Sequence, residues 1–355
     1  MKVLTVVGNR PQFIKAAAVS GLLRAEHEEL LVHTGQHYDD ALSQVFFNEL
    51  GLPRPERELA IGGGSNTSQT ARMLAALEPL LSELAPDAVL VYGDTNSTLA
   101  GALAAAQAQI PLAHVEAGMR SFDRGMPEEL NRVLTDHMSS LLLCSSQRAA
   151  ENLAAESVHG TIDIVGDVMV DVAMRTATAA RANTEVLARH DIQDGGYVVL
   201  TAHRAGNVDD PARLRALVTL VAALERPVVF PLHPRTRARL QDAGLFAELA
   251  ALSGMHLTEP LGYIEFSALL CHASAVLTDS GGVQKEAYLA GVPCVTLRST
   301  TEWTETVSTG WNTLVDLDAA AALAALELKP SADRPPLYGD GRAAARCVSA
   351  LGALG

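Results

Sequence analysis

Ser280, Gly281 and Gly282 lie between an apolar segment at 275–277 and a helix-forming stretch. A strand, a glycine turn and a helix start together present backbone N–H groups to an anion, and the glycines let a diphosphate approach the backbone. Ser280 adds a hydroxyl donor, and Glu286 lies further along the helix, where its carboxylate would accept hydrogen bonds from a ribose. The pattern indicates a nucleotide diphosphate site, although a βα turn that binds nothing has the same signature.

Carboxylates follow the predicted strands in the first half of the chain. Asp94 and Glu116 each come directly after a buried strand, and Glu128 opens the helix that follows. Because parallel strands end at one edge of a sheet, we expect these three side chains on one rim. Carboxylates gathered in a closed site raise one another's pKa, which suits them to proton abstraction and donation. Plainer interpretations are a helix N-cap for Asp94 and a helix start for Glu128, and His114 is interpreted as a core histidine.

Cations and histidines occupy other predicted strand ends. Arg10 follows the first strand and Lys15 lies a turn beyond it, which predicts an anion site or, alternatively, a solvated helix start. In the second half of the chain, His203 and His233 follow two further strands. His203 can become a cationic donor to a leaving phosphate, whereas His233 lies between prolines and is more simply explained as shaping its loop.

These motifs need elements that bring several strand ends together. Apolar strands alternate with helices along the chain, and the order of elements restarts near Tyr197. Continuous apolar strands of this kind form parallel sheets that are covered on both faces. We therefore predict an α/β fold of two doubly wound, Rossmann-like parallel-sheet domains that face a cleft, with the ligand beyond the strand ends.

The predicted domain boundary lies in a stretch at 168–194 that is rich in Ala, Arg and Thr. Residues 1–170 form the N-terminal domain with the acid/base carboxylates, and residues 171–355 form the C-terminal domain with the diphosphate site. An alternative for the last helix, at about 342–351, is that it packs against the N-terminal domain. The total of 355 residues suits two domains of about 150–200 residues each.

The composition excludes several classes of function. The chain carries 27 Lys and Arg against 41 Asp and Glu, a net charge of −14, which argues against nucleic-acid and anionic membrane partners. Its four cysteines are far apart and form no metal-ligand pattern, so we expect no metal site and reduced thiols in a cytoplasmic protein. No apolar run approaches the ~20 residues that a membrane helix needs.

Over nearly its full length, the chain resembles the non-hydrolysing UDP-N-acetylglucosamine 2-epimerases. The motifs that carry the resemblance follow one another in order and at sensible spacing. They are Gly8-Asn9-Arg10-Pro11, His33-Thr34-Gly35-Gln36-His37, Gly93-Asp94-Thr95, His114-Val115-Glu116-Ala117-Gly118, Met126-Pro127-Glu128-Glu129-Leu130-Asn131-Arg132, Gly166-Asp167-Val168-Met169-Val170-Asp171, Thr201-Ala202-His203-Arg204, His233-Pro234-Arg235-Thr236, Asp279-Ser280-Gly281-Gly282-Val283-Gln284 and Thr301-Glu302-Trp303. An ordered series of this kind is far more specific than one glycine turn.

The resemblance implies a fold of the glycosyltransferase-B type and an isomerase that interconverts UDP-GlcNAc and UDP-ManNAc without NAD, metal or another cofactor. A base removes the proton at carbon 2, UDP leaves anti to give 2-acetamidoglucal, and UDP adds back after reprotonation on the other face. The resemblance further implies a homodimer that takes a UDP-sugar as its substrate and serves polysaccharide biosynthesis.

The resemblance also implies roles for individual residues. Asp94, Glu116 and Glu128 carry the acid/base work. His203 assists the UDP leaving group. The residues expected to bind the UDP-sugar are Arg10, Lys15, Arg132, Arg204, His233, Arg235, Ser280, Gly281, Gly282, Glu286 and Arg298.

Several residues depart from the commonest family pattern. Asn9 replaces a usual Thr, Gln12 a usual Glu, and Lys285 an acidic or neutral residue, while Gly206 stands where a Glu is usual. Asn9, Gln12 and the segment around Trp303 resemble those of relatives that act on UDP-2,3-diacetamido-2,3-dideoxy-glucuronate. A 2-epimerase of that sugar is therefore the first alternative.

Two further points stay open. Gln36 and His37 match the pattern with which some bacterial members bind a second, activating UDP-GlcNAc, whereas Tyr38-Asp39 and Gly62-Gly63-Gly64-Ser65 do not. A UDP-sugar glycosyltransferase of the same fold is the second alternative. It would need an acceptor pocket and one catalytic base instead of three carboxylates.

Overall fold

The computed structural model describes residues 1–36 and 50–354. In that part of the chain the strands are β1 (Lys2–Val7), β2 (Glu28–His33), β3 (Arg57–Glu58), β4 (Ala88–Tyr92), β5 (Leu112–Ala117), β6 (Leu141–Cys144), β7 (Thr161–Ile164), β8 (Val198–Thr201), β9 (Val228–Pro231), β10 (Met255–Thr258), β11 (Ala275–Thr278), β12 (Cys294–Thr296) and β13 (Asn312–Leu314). The helices are α1 (Arg10–Glu26), α2 (Asn66–Leu84), α3 (Asn96–Gln107), α4 (Pro127–Met138), α5 (Gln147–Glu156), α6 (Val168–Ala182), α7 (Glu185–Arg189), α8 (Ala205–Val208), α9 (Pro211–Ala222), α10 (Pro234–Asp242), α11 (Phe246–Ala250), α12 (Tyr263–Cys271), α13 (Gly281–Ala290), α14 (Thr304–Ser308), α15 (Ala319–Leu326) and α16 (Ala343–Leu351), with a 3₁₀ helix at Gly352–Leu354. The predicted helix at 39–50 and the motif residues His37, Tyr38 and Asp39 lie outside the described residues, apart from Leu50.

The chain divides into two compact units, of which the first is Met1–Met174 with Pro336–Gly355 and the second is Arg175–Pro335. The division falls inside α6, close to the predicted boundary at residue 170. Residues 336–355 lie in the first unit, whereas the predicted domains assign them to the second. In its described residues, each unit carries one parallel sheet with helices between the strands, so the predicted α/β fold with two doubly wound sheets is confirmed.

The sheet of the first unit has the order β3-β2-β1-β4-β5-β6-β7 among the described residues, and every pair is parallel. The chain runs outward from β1 through β2 to β3 and then returns to β4 on the other side of β1. This reversal makes the junction of β1 and β4 the topological switch point, where open α/β sheets bind ligands. β1 and β4 are buried along nearly their whole length because helices cover both faces.

The last helix packs within the first unit. α16 lies against α1, and Asp171 accepts hydrogen bonds from the backbone N–H groups of Ala343 (3.1 Å) and Ala344 (3.0 Å). Asp171 thereby satisfies donors that a helix N-terminus leaves open. This tertiary cap, supplied by a residue far away in the sequence, helps to place residues 336–355 in the first unit.

The sheet of the second unit has the order β10-β9-β8-β11-β12-β13 among the described residues, again with parallel pairs. Its switch point lies between β8 and β11. In the core, Val198, Leu200 and Leu277 of these two strands belong to one apolar cluster with Leu214 and Val218 of α9. Both sheets thus offer a ligand site at the junction of two central strands.

The stretch at 168–194, which the sequence predicts to contain the domain boundary, is largely helical. α6 and α7 occupy much of it, and the division between the two units falls inside it. Val168, Met169 and Val172 are buried, which anchors the first turns of α6 in the first unit. Because the stretch is rich in Ala, Arg and Thr, its sequence does not indicate this short apolar face. Across the described residues, no helix combines the length and apolar character that crossing a membrane requires.

Candidate active site

The carboxylates of the first unit follow neighbouring strands at the switch point. Asp94 comes after β4, Glu116 lies at the end of β5, and β4 pairs directly with β5. On its other edge β4 pairs with β1, which Arg10 follows at the start of α1. The strand order therefore brings these three positions to one edge of the sheet, as the sequence predicts.

Glu116 has an unusual backbone conformation. Its φ of 72° lies in the left-handed region, and the register between β5 and β6 shifts between Val115 and Ala117. A bulge of this kind breaks the regular alternation of a strand and redirects a side chain. A non-glycine residue in such a region costs about 1–3 kcal/mol, and outliers of this type concentrate at functional sites.

Lys15 pairs with Glu116. Its Nζ forms a short ion pair with the carboxylate, and only 10% and 9% of the two side chains are exposed. Gly93 lies against this pair, because a Cβ built on it would lie 3.0 Å from Lys15 Nζ and 3.4 Å from Glu116 Oε2. The sequence predicts Lys15 as a ligand of UDP. The structure adds a direct contact between Lys15 and a predicted acid/base carboxylate.

Asp94 does not cap the helix that follows it. Thr95 is the N-cap of α3, and its hydroxyl accepts a hydrogen bond from the N–H of Thr98 at 3.4 Å. The Asp94 carboxylate instead forms an ion pair with Arg132 of α4, and its carbonyl accepts a hydrogen bond from Asn131 Nδ2 at 3.0 Å. The interpretation of Asp94 as an N-cap is therefore wrong.

Glu128 lies on the face of α4 that contacts Asp94. It precedes Asn131 by three residues and Arg132 by four, and residues at these spacings share one face of a helix. Both of those residues bind Asp94. Glu116 packs against the residue before Asp94. The structure thus brings Asp94 and Glu116 to one turn, and the helix spacing predicts Glu128 on the face of α4 whose residues bind Asp94.

Glu129, the next residue along α4, has a structural role that sequence reasoning missed. It is buried and accepts hydrogen bonds from the backbone N–H groups of Ser121 (2.9 Å) and Phe122 (3.0 Å). Arg132 Nη1 donates to the same carboxylate at 3.0 Å. Glu129 therefore fixes both the loop before α4 and the guanidinium that binds Asp94. The spacing of three residues between Glu129 and Arg132 is a signal for this pair.

In the second unit, a buried aspartate organises the switch point, and sequence reasoning missed it too. Asp279 follows β11 and accepts hydrogen bonds from the backbone N–H groups of His203 (3.0 Å) and Arg204 (2.9 Å) and from Asn207 Nδ2 (3.2 Å). Because β8 pairs with β11, Asp279 holds the turn after β8 across the switch point. A carboxylate directly after an apolar strand needs hydrogen-bond partners when it is buried. The position of Asp279 after such a strand is therefore a sequence signal for this role.

His203 and His233 stack on each other, with 5.4 Å between ring centroids. His203 Nδ1 lies 3.6 Å from Asp279 Oδ1, and 38% of the side chain is exposed, so the ring is accessible to a ligand. His233 is the N-cap of α10, where its Nδ1 accepts a hydrogen bond from the N–H of Arg235 at 3.1 Å. His233 therefore shapes its loop and supports the ring of His203.

The glycine turn opens α13 without a side-chain cap. Ser280 occupies the N-cap position, but its side chain makes no capping hydrogen bond. A helix start of this kind leaves backbone N–H groups for an anion. A Cβ built on Gly282 would have Ser280 Oγ, at 3.9 Å, as its nearest contact. Glu286 shares a helix face with Gly282 because four residues separate them, so a diphosphate at Gly282 would have a ribose acceptor beside it.

Gly281, in contrast, is tightly packed. A Cβ on this residue would lie 2.5 Å from Glu302 Oε1 and 3.0 Å from Trp303 Nε1. Glu302 is buried and pairs with Arg298, with 3.0 Å between Nη1 and Oε2, while Arg204 Nη2 lies 3.9 Å from Oε1. Glu302 thus gathers two of the predicted binding arginines beside the turn, a role that the sequence alone does not indicate.

Arg235 binds Asp209 in this structure. Its Nε donates to Asp209 Oδ1 at 3.1 Å, and its Nη2 contacts the other oxygen. The hydrogen bond from Arg235 is the main cause of a lowered pKa of the Asp209 carboxyl, which burial opposes and Arg239 reinforces. Arg235 is therefore held beside the turn after α8, and its contact with a substrate stays a prediction.

The four cysteines are free thiols. Burial raises the pKa of Cys144 and of Cys294 to about 12, so both are neutral and poor metal ligands. Among residues 1–36 and 50–354, no three His, Cys, Asp or Glu side chains are grouped as metal ligands.

Known proteins match the chain over most of its length. A sequence profile described as UDP-N-acetylglucosamine 2-epimerase matches residues 22–352. The chain is 45% identical over 367 residues, covering 100% of both proteins, to the UDP-2,3-diacetamido-2,3-dideoxy-D-glucuronate 2-epimerase of Pseudomonas aeruginosa. It is 41% identical over 361 residues, covering 99% of both, to the UDP-N-acetylglucosamine 2-epimerase of Methanocaldococcus jannaschii.

A solved structure is similar as well. The crystal structure of Methanocaldococcus jannaschii UDP-GlcNAc 2-epimerase in complex with UDP-GlcNAc and UDP matches with a TM-score of 0.93 and 40% identity, over 99% of this chain and 100% of that chain. The profile, the full-length relatives and the solved structure agree with the resemblance that the motifs indicate. The chain belongs to the UDP-N-acetylglucosamine 2-epimerase family.

Proposed function

We propose that this chain is a non-hydrolysing UDP-GlcNAc 2-epimerase, which interconverts UDP-GlcNAc and UDP-ManNAc. The observation that carries the proposal is that Asp94 and Glu116 lie at one turn of the first unit, and the spacing along α4 adds Glu128 to the face that binds Asp94. Inversion at carbon 2 needs one group to remove a proton and another to deliver a proton to the opposite face. A glycosyltransferase of the same fold needs one base, so three carboxylates favour the epimerase.

The reaction begins when an ionised carboxylate removes the proton from carbon 2. Lys15 and Arg132 form ion pairs with Glu116 and Asp94, so each of these two carboxylates is held by a cationic partner. The electron pair of the broken C–H bond forms the double bond between carbons 1 and 2. The electrons of the bond from carbon 1 to oxygen leave with UDP, which gives 2-acetamidoglucal. Reprotonation on the other face and return of UDP complete the epimerisation.

The second unit supplies groups to bind UDP and to assist its departure. The first-turn N–H groups of α13 and the hydroxyl of Ser280 would donate to the diphosphate, and Glu286 would accept from the ribose. His203 Nδ1 faces Asp279, so Nε2 is the atom that would donate to the leaving phosphate. A donor aimed at this oxygen stabilises the charge that develops there in the transition state.

An NMR time course in deuterated water, with UDP-GlcNAc as the only added sugar, tests the proposal. We expect UDP-ManNAc with deuterium at carbon 2, because the abstracted proton exchanges with solvent. Epimerised product without deuterium would contradict the acid/base assignment. Turnover that requires an acceptor would identify a glycosyltransferase, and release of free ManNAc would identify a hydrolysing enzyme.

One observation favours a second candidate, 2-epimerisation of UDP-2,3-diacetamido-2,3-dideoxy-glucuronate. Lys285 is buried, with its Nζ 4.0 Å from the ring centre of Trp303, and that ring packs against Gly281 of the glycine turn. A uronate adds a carboxylate to the sugar, and a buried ammonium is a suitable partner for it. The Pseudomonas aeruginosa relative carries the name of this activity.

A competition experiment separates the two candidates. Both UDP-sugars are supplied at equal concentration, and NMR follows the formation of each epimer. The Lys285→Met variant keeps the apolar stem and removes the charge. If the parent prefers the uronate and Lys285→Met loses that preference, the uronate and not UDP-GlcNAc is the substrate. If both proteins prefer UDP-GlcNAc, the uronate is excluded.

We further propose that the protein is a cytoplasmic homodimer and that it serves polysaccharide biosynthesis. Free thiols are typical of a reducing compartment, which agrees with the location. The dimer and the pathway rest on the family resemblance. Light scattering of the purified protein measures the oligomeric state, and a monomer at micromolar concentration would contradict the dimer.

A further inference from the structure

His114 lies at the centre of a buried polar cluster in the first unit. It belongs to β5 and is fully buried. Its Nε2 lies 2.7 Å from the carbonyl oxygen of Gly93, and its Nδ1 lies 2.7 Å from Asp136 Oδ1. The ring therefore connects α4 with the turn that precedes Asp94. The sequence indicates an ordinary core histidine, but these contacts connect the ring to the residue before Asp94, a proposed acid/base residue.

The two partners determine the protonation of the ring. A carbonyl oxygen only accepts hydrogen bonds, so Nε2 carries a hydrogen. Asp136 also binds Arg120, with 2.7 Å between Nη1 and Oδ2, and it accepts a hydrogen bond from the N–H of Gly118 at 3.1 Å. The Arg120 cation and the Gly118 N–H, both on Oδ2, favour the ionised form of this buried carboxylate, and Oδ1 then accepts a hydrogen bond from Nδ1. A ring that donates from both nitrogens is an imidazolium cation.

The surrounding charges balance this cation. Arg120 forms two hydrogen bonds with Glu156, each of 2.7 Å, so two cations face two carboxylates. Burial by itself would raise the pKa of Asp136, but His114 and Arg120 outweigh it and lower that pKa. Cys144 of β6 adds no charge, because burial raises its pKa to about 12. Opposite charges with hydrogen bonds on their polar atoms offset the desolvation cost of burying a charged ring.

The Gly93 carbonyl is the middle one of three consecutive carbonyls that side chains hold in place. The carbonyl of Tyr92 accepts a hydrogen bond from Gln12 Nε2 at 2.9 Å, and that of Asp94 accepts one from Asn131 Nδ2 at 3.0 Å. His114 supplies the bond to the middle carbonyl, and a bond from a charged donor is roughly twice as strong as a neutral one. The whole turn is thereby fixed relative to the sheet.

We infer that His114 is a doubly protonated positioning residue of the epimerase, which holds the Gly93 carbonyl and thereby sets the separation of Asp94 and Glu116. Gly93 links the two carboxylates, because it precedes Asp94 in the chain and packs against Glu116. The catalytic part of the inference rests on the proposed function, whereas the charge of the ring does not. A displacement of about 1 Å between reacting groups can lower a rate about 100-fold, so this bond matters for turnover.

Ring ¹⁵N chemical shifts of the parent protein measure the charge without any assay of turnover. We expect His114 to show the shifts of an imidazolium at neutral pH, with both ring nitrogens protonated. The His114→Gln variant identifies the signal by its loss. A His137→Gln variant, on the exposed side of α4, is the matched control for the assignment. The shifts of a neutral tautomer at His114 would overturn the inference, whether or not the protein is an epimerase.

Kinetics of two variants separate positioning from packing. His114→Gln keeps an amide donor for the Gly93 carbonyl but loses the charge, and Asp136→Asn removes the carboxylate that requires the second proton. For each variant we expect kcat to fall about 10–100-fold, while KM and the Kd of UDP stay within about twofold. Asp136→Asn should also shift the ring of His114 to a neutral tautomer, and His137→Gln should leave kcat unchanged.

Loss of thermal stability with unchanged kcat, in whichever of the two variants folds, would overturn the positioning role. If the parent epimerises a different UDP-sugar, the same variants are measured on that sugar, so failure of the proposed substrate and failure of this inference are distinguishable. A parent protein that epimerises none refutes the proposed function and the catalytic part of the inference together, and leaves the ring charge to the NMR measurement.

Discussion

The substitution Gly282→Ala separates the anion site from the fold that carries it. Among the described residues, a methyl group on Gly282 would have Ser280 Oγ, at 3.9 Å, as its nearest neighbour, so we expect the free protein to accommodate it. Gly282 lies in the first turn of α13, where alanine is the better helix former, and a tolerated Gly→Ala change stabilises a protein by about 0.4–1 kcal/mol. We therefore expect the melting temperature to stay constant or to rise.

Binding of UDP should respond in the opposite direction. The proposed site brings the diphosphate against the backbone at Gly282, and the added methyl group would occupy that space. Loss of one hydrogen bond between a backbone N–H and a charged phosphate costs roughly 1.5–3 kcal/mol. Since about 1.4 kcal/mol corresponds to a tenfold change, the Kd of UDP should rise roughly 10–100-fold.

Isothermal titration with UDP and thermal unfolding measure both effects. Gly21→Ala is the matched control. Gly21 also lies in a helix, and a Cβ on it would have nothing within 4 Å in the part of the chain that the structure describes, so UDP affinity should not change. Gly281→Ala is the contrasting variant, because its methyl group would lie 2.5 Å from Glu302 Oε1. Overpacking of this kind typically costs about 1–3 kcal/mol of stability. Unchanged UDP affinity in a well-folded Gly282→Ala protein would refute the placement of the diphosphate.

Four more changes test other parts of the molecule. Glu116→Gln keeps the shape of the side chain but removes proton transfer, so steady-state turnover should fall by roughly 10²–10⁴-fold while UDP affinity persists. Asp94→Asn should act similarly because Thr95 caps α3, and near-normal turnover would remove Asp94 from the mechanism. Glu286→Ala should weaken UDP binding by roughly 1.5–3 kcal/mol in calorimetry, and an unchanged Kd would displace the ribose site. Asp171→Ala removes the cap of α16 and should lower the free energy of unfolding by about 1–2 kcal/mol without changing turnover below the melting temperature.

Much of the fold follows from local patterns in the sequence. Apolar runs such as 88–91 and 275–277 predict buried strands, because a sheet covered on both faces needs apolar side chains in succession. Parallel strands end at one edge, so chain order is enough to expect Asp94 and Glu116 together and to place the glycine turn beyond the end of a strand. These inferences need only periodicity and the direction of each strand.

Local patterns did not indicate the helices in 168–194, and they left open which domain the last helix joins. α6 buries Val168, Met169 and Val172, a short apolar face within a segment that otherwise reads as polar. The last helix depends on Asp171, which is more than a hundred residues away in the chain. Packing over such separations has no local signature, because it depends on where the sheet brings the chain back.

Tertiary structure also decided what each site residue contacts. Lys15 and Glu116 are 101 residues apart in the chain, and only the pairing of β1, β4 and β5 brings them together. Of two adjacent glutamates, Glu129 holds a loop, while Glu128 occupies the next position of the helix, which points in a different direction. The charge of His114 likewise follows from a carbonyl on one side and a carboxylate on the other. Hydrogen bonds and ion pairs depend on distances of a few ångströms in space, which spacing along a sequence does not specify.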